Sequence, residues 1–291
     1  MLFLDRVDGK RIRDPGPFHA ILPFLMRRRN ESAVYFSKDV DVDAAIRYVH
    51  RRNAQPTQKF SLFGLILTAA AQTFVVKPRL NRFVHGRSLY DRTALSFSFI
   101  VKKRLTEDAQ ESTVKVTFPN DVTIDKAAEI IGNAVAFARG DSLSQDERET
   151  TLAHRIPFGK SIASKTFRIL DHFNIAPNIM LDADPLYTSA FFANLGSIGL
   201  DTPFHHLYEW GTASLFVVVG RLFQKEHRGS DGTIRKHSFV NIKVTLDERI
   251  ADGLYFARAA ALFQRLILHP ERMEFPPCLP DTTPEEGPSA P

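Results

Sequence analysis

Cysteine is almost missing: the single copy in 291 residues is Cys278. One thiol excludes a disulfide framework or a cysteine-built metal site within one chain. It fits a reducing compartment, so a cytoplasmic location is expected. Long apolar runs are absent too. No stretch reaches the roughly 18 uninterrupted apolar residues of a membrane span. The start, Met1-Leu2-Phe3-Leu4-Asp5-Arg6, lacks the basic lead and apolar run of a signal peptide. Charge of one sign is scarce, with a net value of only +5, and Lys and Arg are scattered. That balance suits a phosphorylated ligand such as a nucleotide or coenzyme A, and neither a nucleic-acid nor a membrane partner is expected. No internal repeat is found.

Apolar residues are plentiful, at 44% of the chain, and Phe is unusually common at 24 copies. That supports a full core. Residues 1–18 are polar, carry Pro15 and Pro17, and read as an N-terminal arm. Residues 271–291 are rich in proline and acid and read as a disordered tail. The remainder, 19–270, reads as one domain.

Helices and strands interleave along that domain. Helices are expected over 19–29, 43–52, 62–76, 123–138, 156–173 and 250–268, with Asp43 capping the second of them. The helix over 62–76 is apolar almost all round and should be buried. Strands are expected over 33–42, 93–102, 112–118, 187–195, 214–223 and 236–246, with 103–111 as a hairpin or longer loop. Leu215-Phe216-Val217-Val218-Val219 suits a strand covered on both faces. Gly140 to Glu149 is a polar loop or a further helix start. The fold class that follows is α/β, in two layers: a mixed sheet flanked by helices. Arg27-Arg28-Arg29 reads as a solvated face, with a phosphate contact as the alternative.

The stretch Asp247-Glu248-Arg249-Ile250-Ala251-Asp252-Gly253 closes a strand and opens the last helix. Glu248 and Asp252 are one helical turn apart, so both carboxylates would share one edge. Acids at a helix start are favoured by its dipole, which alone would account for them. Two further stretches join this one. Pro78-Arg79-Leu80-Asn81 follows the apolar helix, and Ala193-Asn194-Leu195-Gly196-Ser197-Ile198-Gly199 follows a strand.

In order and spacing these three resemble the catalytic domain of the 2-oxo acid dehydrogenase acyltransferases, and more remotely chloramphenicol acetyltransferase. The resemblance spans about residues 19–270. It implies a chloramphenicol acetyltransferase-like fold and a homotrimer with sites between subunits. It implies coenzyme A or acyl-coenzyme A as substrate, not as a covalently bound cofactor. It also implies a lipoyl-bearing or dehydrogenase-complex partner. The family's helix-opening motif carries a histidine general base, and a hydroxyl in its strand-end turn stabilises the oxyanion. This chain keeps Asp247, Arg249, Asp252 and Gly253, and keeps Asn194, Leu195 and Gly196. Glu248 stands in the histidine's place and Ala193 in the serine's.

Both departures fall where the chemistry is done. A general base contributes about 10²–10⁴-fold, and glutamate near 4.3 is a weaker base than histidine near 6.5. Burial and the like charges of Asp247 and Asp252 would raise the Glu248 pKa, and Arg249 would oppose them. Losing an oxyanion donor costs roughly 10²–10³. Asn194, Ser197 or a backbone N–H could replace it. His205 and His206, in a loop near the implied channel, could supply a base from another direction or be ordinary loop residues. No metal site is evident. Two readings follow: acyl transfer rewired to Glu248, or a non-catalytic trimeric scaffold, ligand sensor or partner subunit on the same fold.

Overall fold

A computed structural model describes residues 5–55, 59–102, 111–140, 159–228 and 234–278. Residues 103–110 of the expected loop 103–111, residues 141–149, the first three residues of the expected helix 156–173 and the tail beyond 278 lie outside these residues.

The strands are β1 (Gly9–Arg11), β2 (Ala33–Asp41), β3 (Arg82–His85), β4 (Ser88–Arg92), β5 (Leu95–Lys102), β6 (Glu111–Phe118), β7 (Ala190–Asn194), β8 (Leu215–Arg228) and β9 (Ile234–Asp247). The helices are α1 (Pro17–Leu25), α2 (Asp43–Asn53), α3 (Leu62–Val76), α4 (Ile124–Arg139), α5 (Gly159–His172), α6 (Asn178–Ala183) and α7 (Gly253–Leu268). A six-stranded mixed sheet runs β2-β9-β8-β7-β5-β6, and a small antiparallel sheet runs β1-β4-β3. The α/β expectation holds. In the large sheet β7 lies parallel to both β5 and β8, and the outer pairs are antiparallel.

Alternation along β7 and β8 sorts side chains to two faces. Ala190, Phe192, Leu215, Val217 and Val219 join the main core with α2, α3, α4 and α7. Phe191, Phe216 and Val218 face the other way, where Leu207 and Tyr208 of the loop 199–214 cover them. Both faces of Leu215–Val219 are therefore buried, as the apolar run implied. Helix α3 is buried along most of its length, and its interior polar residues find hydrogen-bond partners. Thr68 and Thr73 donate to carbonyls four residues back, and Gln72 Nε2 donates to Val122 O and Phe275 O.

Several expectations need correction. The hairpin of β3 and β4, for which no strands are expected above, turns at Gly86, whose φ of 59° suits glycine. β1, inside the expected arm, adds a third strand, and Arg6 is buried against Asp8 and Asp171. Asp43 does not cap α2: it is the first helical residue, and its carboxylate accepts from Ser238 N. Of the basic run, Arg27 and Arg28 are exposed but Arg29 is buried. Its guanidinium donates to Tyr208 O and Val84 O. Described structure also continues past residue 270: Met273 is in the core and Tyr48 OH donates to Glu274.

Candidate functional site

The turn after β7 is built by its own side chains. Asn194 Oδ1 accepts from Ser197 N at 3.3 Å, and Ser197 Oγ donates to Asn194 O at 2.8 Å. Gly199 then takes a φ of 75°, the left-handed region open to glycine. The turn presses onto β8 where that strand is irregular, between Val219 and Leu222. A Cβ on Gly196 would lie 2.4 Å from Gly220 O, so only glycine permits this approach.

A cleft of about 960 Å³ opens beside the turn, between α3, α4, the end of β5 and the middle of β8. Ala193, Asn194, Gly196 and Ser197 line it, so the structure does bring these four together. Ala193 offers no hydroxyl. The hydroxyl of Ser197 is already donated within the turn, which leaves the Asn194 amide N–H₂ as the remaining side-chain donor of the turn. Lys59, Lys102 and Arg139 also line the cleft, and among the described lining residues there is no carboxylate and no histidine. Sequence reasoning missed these three cations. They come from three separate elements and only the fold gathers them.

The other proposed residues sit elsewhere. Glu248 and Asp252 are not on one helical edge: Glu248 lies in the turn after β9, and α7 begins only at Gly253, with Asp252 as its N-cap. The cause is the preceding residue. Asp247 is wholly buried and accepts from Ser32 Oγ and from Arg249 Nε and Nη2, at 2.6–2.9 Å, so the chain must turn around it before a helix can start. Arg249 is 2% exposed and its third nitrogen donates to Met26 O. It is a buried structural cation rather than a channel residue. Burial lowers the pKa of nearby Arg29, and Asp247 opposes that shift. Glu248 itself is exposed; its N–H donates to Ser32 O. Asp252 is exposed, accepts from Tyr255 N, and lies 3.8 Å from Arg79. Space around Gly253 is open, so close packing does not require its lack of a side chain.

His205 and His206 lie in the loop over the opposite face of the sheet from α3 and α4. His205 stacks on Phe216 at 3.8 Å and on His206 at 4.7 Å, and burial lowers its pKa. Neither histidine reaches the cleft.

Strand register gives the distance between the two halves of the motif. Asn194 is level with Val219, Val219 is level with Ile242, and Glu248 follows Ile242 by six positions. At about 3.3 Å per residue the separation within one chain is on the order of 20 Å.

No protein-family model matches the chain. No curated protein matches it either. Solved structures do. The chain has the fold of the dihydrolipoamide acyltransferase catalytic cores and of chloramphenicol acetyltransferase. A probable dihydrolipoamide acetyltransferase from Listeria monocytogenes superposes with a TM-score of 0.59 at 15% identity, over 91% of this chain and 95% of that one. The cubic core of a pyruvate dehydrogenase multienzyme complex gives 0.57 at 14% identity, over 93% of each chain. A chloramphenicol acetyltransferase gives 0.55 at 11%, over 90% of this chain and 98% of that one. At these identities the likeness establishes the fold.

Proposed function

We propose that the chain binds an acyl-coenzyme A at the cleft beside the Asn194–Gly199 turn, and that it has given up the standard acyl transfer of this fold. The observation that carries the reading is the lining of the cleft. Lys59, Lys102 and Arg139 line it, and positive charge there suits the phosphates of a coenzyme A. The groups that would do chemistry are missing from the same place: Ala193 supplies no hydroxyl, and no base lines the cleft among the described residues. Such a protein is a ligand sensor or a partner subunit. A lipoyl-bearing protein or dehydrogenase complex is the partner to try first, given the likeness to a multienzyme core.

A second reading keeps the chemistry and assigns the base role to Glu248. Its support is exposure: among the described residues the Glu248 carboxylate has no hydrogen-bond or ion-pair partner. A gap on the order of 20 Å then requires that Glu248 of one copy meet the cleft of another, as in a homotrimer with intersubunit sites.

The deciding assay is thiol release from acetyl-coenzyme A with dihydrolipoamide as acceptor, beside calorimetric binding of coenzyme A. The expected result is binding without turnover, identical in Glu248→Ala, with some turnover gained by the double variant Glu248→His, Ala193→Ser. Turnover in the wild type that vanishes in Glu248→Ala would overturn the first reading and establish the second.

A further inference from the structure

Helix α5 is held by a satellite cluster and a polar knot, apart from the main core. Its Phe167 and Leu170 join Ala176, Leu181, Tyr187 and Trp210 in the cluster. Its C-terminal end is tied at Asp171. Arg6 Nη2 pairs with one carboxylate oxygen at 2.8 Å, and Tyr187 Oη donates to the other at 2.8 Å. His85 Nε2 lies 3.1 Å from Asp171 O. A carbonyl only accepts, so that nitrogen carries a proton, and in the neutral ring Nδ1 is bare. Nδ1 lies 3.8 Å from the Asp171 carboxylate, beyond hydrogen-bond reach. Asn174, with a φ of 61°, then turns the chain out of α5. Helix α6 beyond it is fastened separately, since Lys115 Nζ donates to Leu181 O at 2.8 Å.

The His85 ring is walled by charge. Arg6 and Asp8 face it from the N-terminal segment, Tyr90 from β4, Asp171 from α5 and Arg29 from the segment before β2. Arg92 stands behind Asp8 at 3.7 Å. Three buried guanidinium groups therefore meet two carboxylates, and a proton on His85 would add another cation with little water to solvate it. Burial, and then the Arg6 charge, hold the imidazole at about 4, below its ordinary 6.5, while Asp171 and Asp8 oppose the shift.

We infer that this knot is an acid-released latch: neutral His85 holds the end of α5 on the small sheet, and a proton taken from solvent at Nδ1 frees α5 while α6 and the main core stay in place. The latch is independent of the coenzyme A reading. When it is open, the ring meets water and takes a proton below about 6.5. When it is closed, the ring resists until about 4. Closure is therefore at full strength above pH 6.5, weakens as the pH falls from 6.5 to 4, and weakens no further below that. The gap between the two values corresponds to roughly a 300-fold change in the ratio of closed to open.

The test is hydrogen exchange of the full chain between pH 7 and pH 4. It is read by mass spectrometry on peptides spanning α5 and α3, with the intrinsic pH dependence of exchange divided out. Protection of α5 is expected to fall by up to about 300-fold while α3 keeps its own. His85→Gln keeps a donor toward Asp171 O and cannot titrate, so it is expected to hold α5 closed and to abolish the dependence. Protection of α5 that is constant across the range in the wild type would overturn the inference. A fall that persists in His85→Gln would assign the proton to a carboxylate and overturn it as well. So would an equal fall in α3, which would mean acid unfolding of the whole molecule. Should glutamine itself loosen α5 at pH 7, NMR titration of the wild-type imidazoles decides. The His85 resonance, identified by its loss in the variant, is expected to move near pH 4 and to show the Nε2–H tautomer above it. Titration of His85 at 6.5 or higher would overturn the latch.

Discussion

Ser32 Oγ and two nitrogens of Arg249 donate to the Asp247 carboxylate, which is wholly buried, and Arg29 lies close enough to feel its charge. Removing that carboxylate would strand buried cations without their partner. Breaking one side of a buried pair costs about 3–5 kcal/mol. Asp247→Ala is therefore expected to lose that much in urea denaturation, or to fail to fold. Glu248, one residue on, is exposed and ends in solvent. Glu248→Ala is expected to leave the unfolding midpoint where it was. A large loss in Glu248→Ala would mean that its carboxylate has a structural partner, in another copy of the chain. The pair shows what a motif conveys and what it leaves out. Asp-Glu-Arg announces a charged turn, yet that Asp247 and Arg249 are buried and Glu248 is not is decided by Ser32 and Met26, more than 200 positions away.

At the scale of elements, the turn after β7 is local and was readable. Asn194 and Ser197 satisfy each other three residues apart, and Gly199 supplies the left-handed exit. Alternation likewise located β5, β6 and β9, and continuous apolar runs located β8 and helix α3, because each pattern is a property of consecutive residues. Non-local facts were not readable. The three cations of the cleft meet only through the sheet, and the stacking of His205 on Phe216 depends on how a loop folds back. The helix start was misplaced by three residues because the buried Asp247 consumed the turn. Gly196 joins the two kinds of information. Its neighbour is the backbone of Gly220, across the strand irregularity in β8. Gly196→Ala would force a Cβ to within 2.4 Å of Gly220 O, against backbone that cannot swing aside. The expected cost is about 1–3 kcal/mol, read as a lowered unfolding midpoint, together with weaker coenzyme A binding as the turn lifts from β8. Unchanged stability would show that the turn and strand separate freely.

For the whole molecule, the question is what covers the sheet face that carries no helices. The loop 199–214 shields Phe191, Phe216 and Val218, but Tyr35 on the edge strand β2 and Phe204 beside it remain close to half exposed. Aromatic side chains in such a group lose stability in water and gain it against another surface. The same end of the molecule carries Glu248, because Ala33 pairs with Asp247 in the β2–β9 register. An assembly that buries Tyr35 would therefore carry Glu248 toward a neighbouring copy, which is the arrangement a two-copy site needs. Sedimentation equilibrium is expected to give three times the chain mass, shifting toward the single chain in Tyr35→Lys, Phe204→Lys. The cleft lies on the opposite side of the sheet and is lined by one chain, so coenzyme A binding should survive that dissociation. A wild-type chain that sediments as a monomer would remove Glu248 from any site and leave the cleft as the sole seat of function. Loss of ligand binding on dissociation would instead show that a second copy completes the cleft.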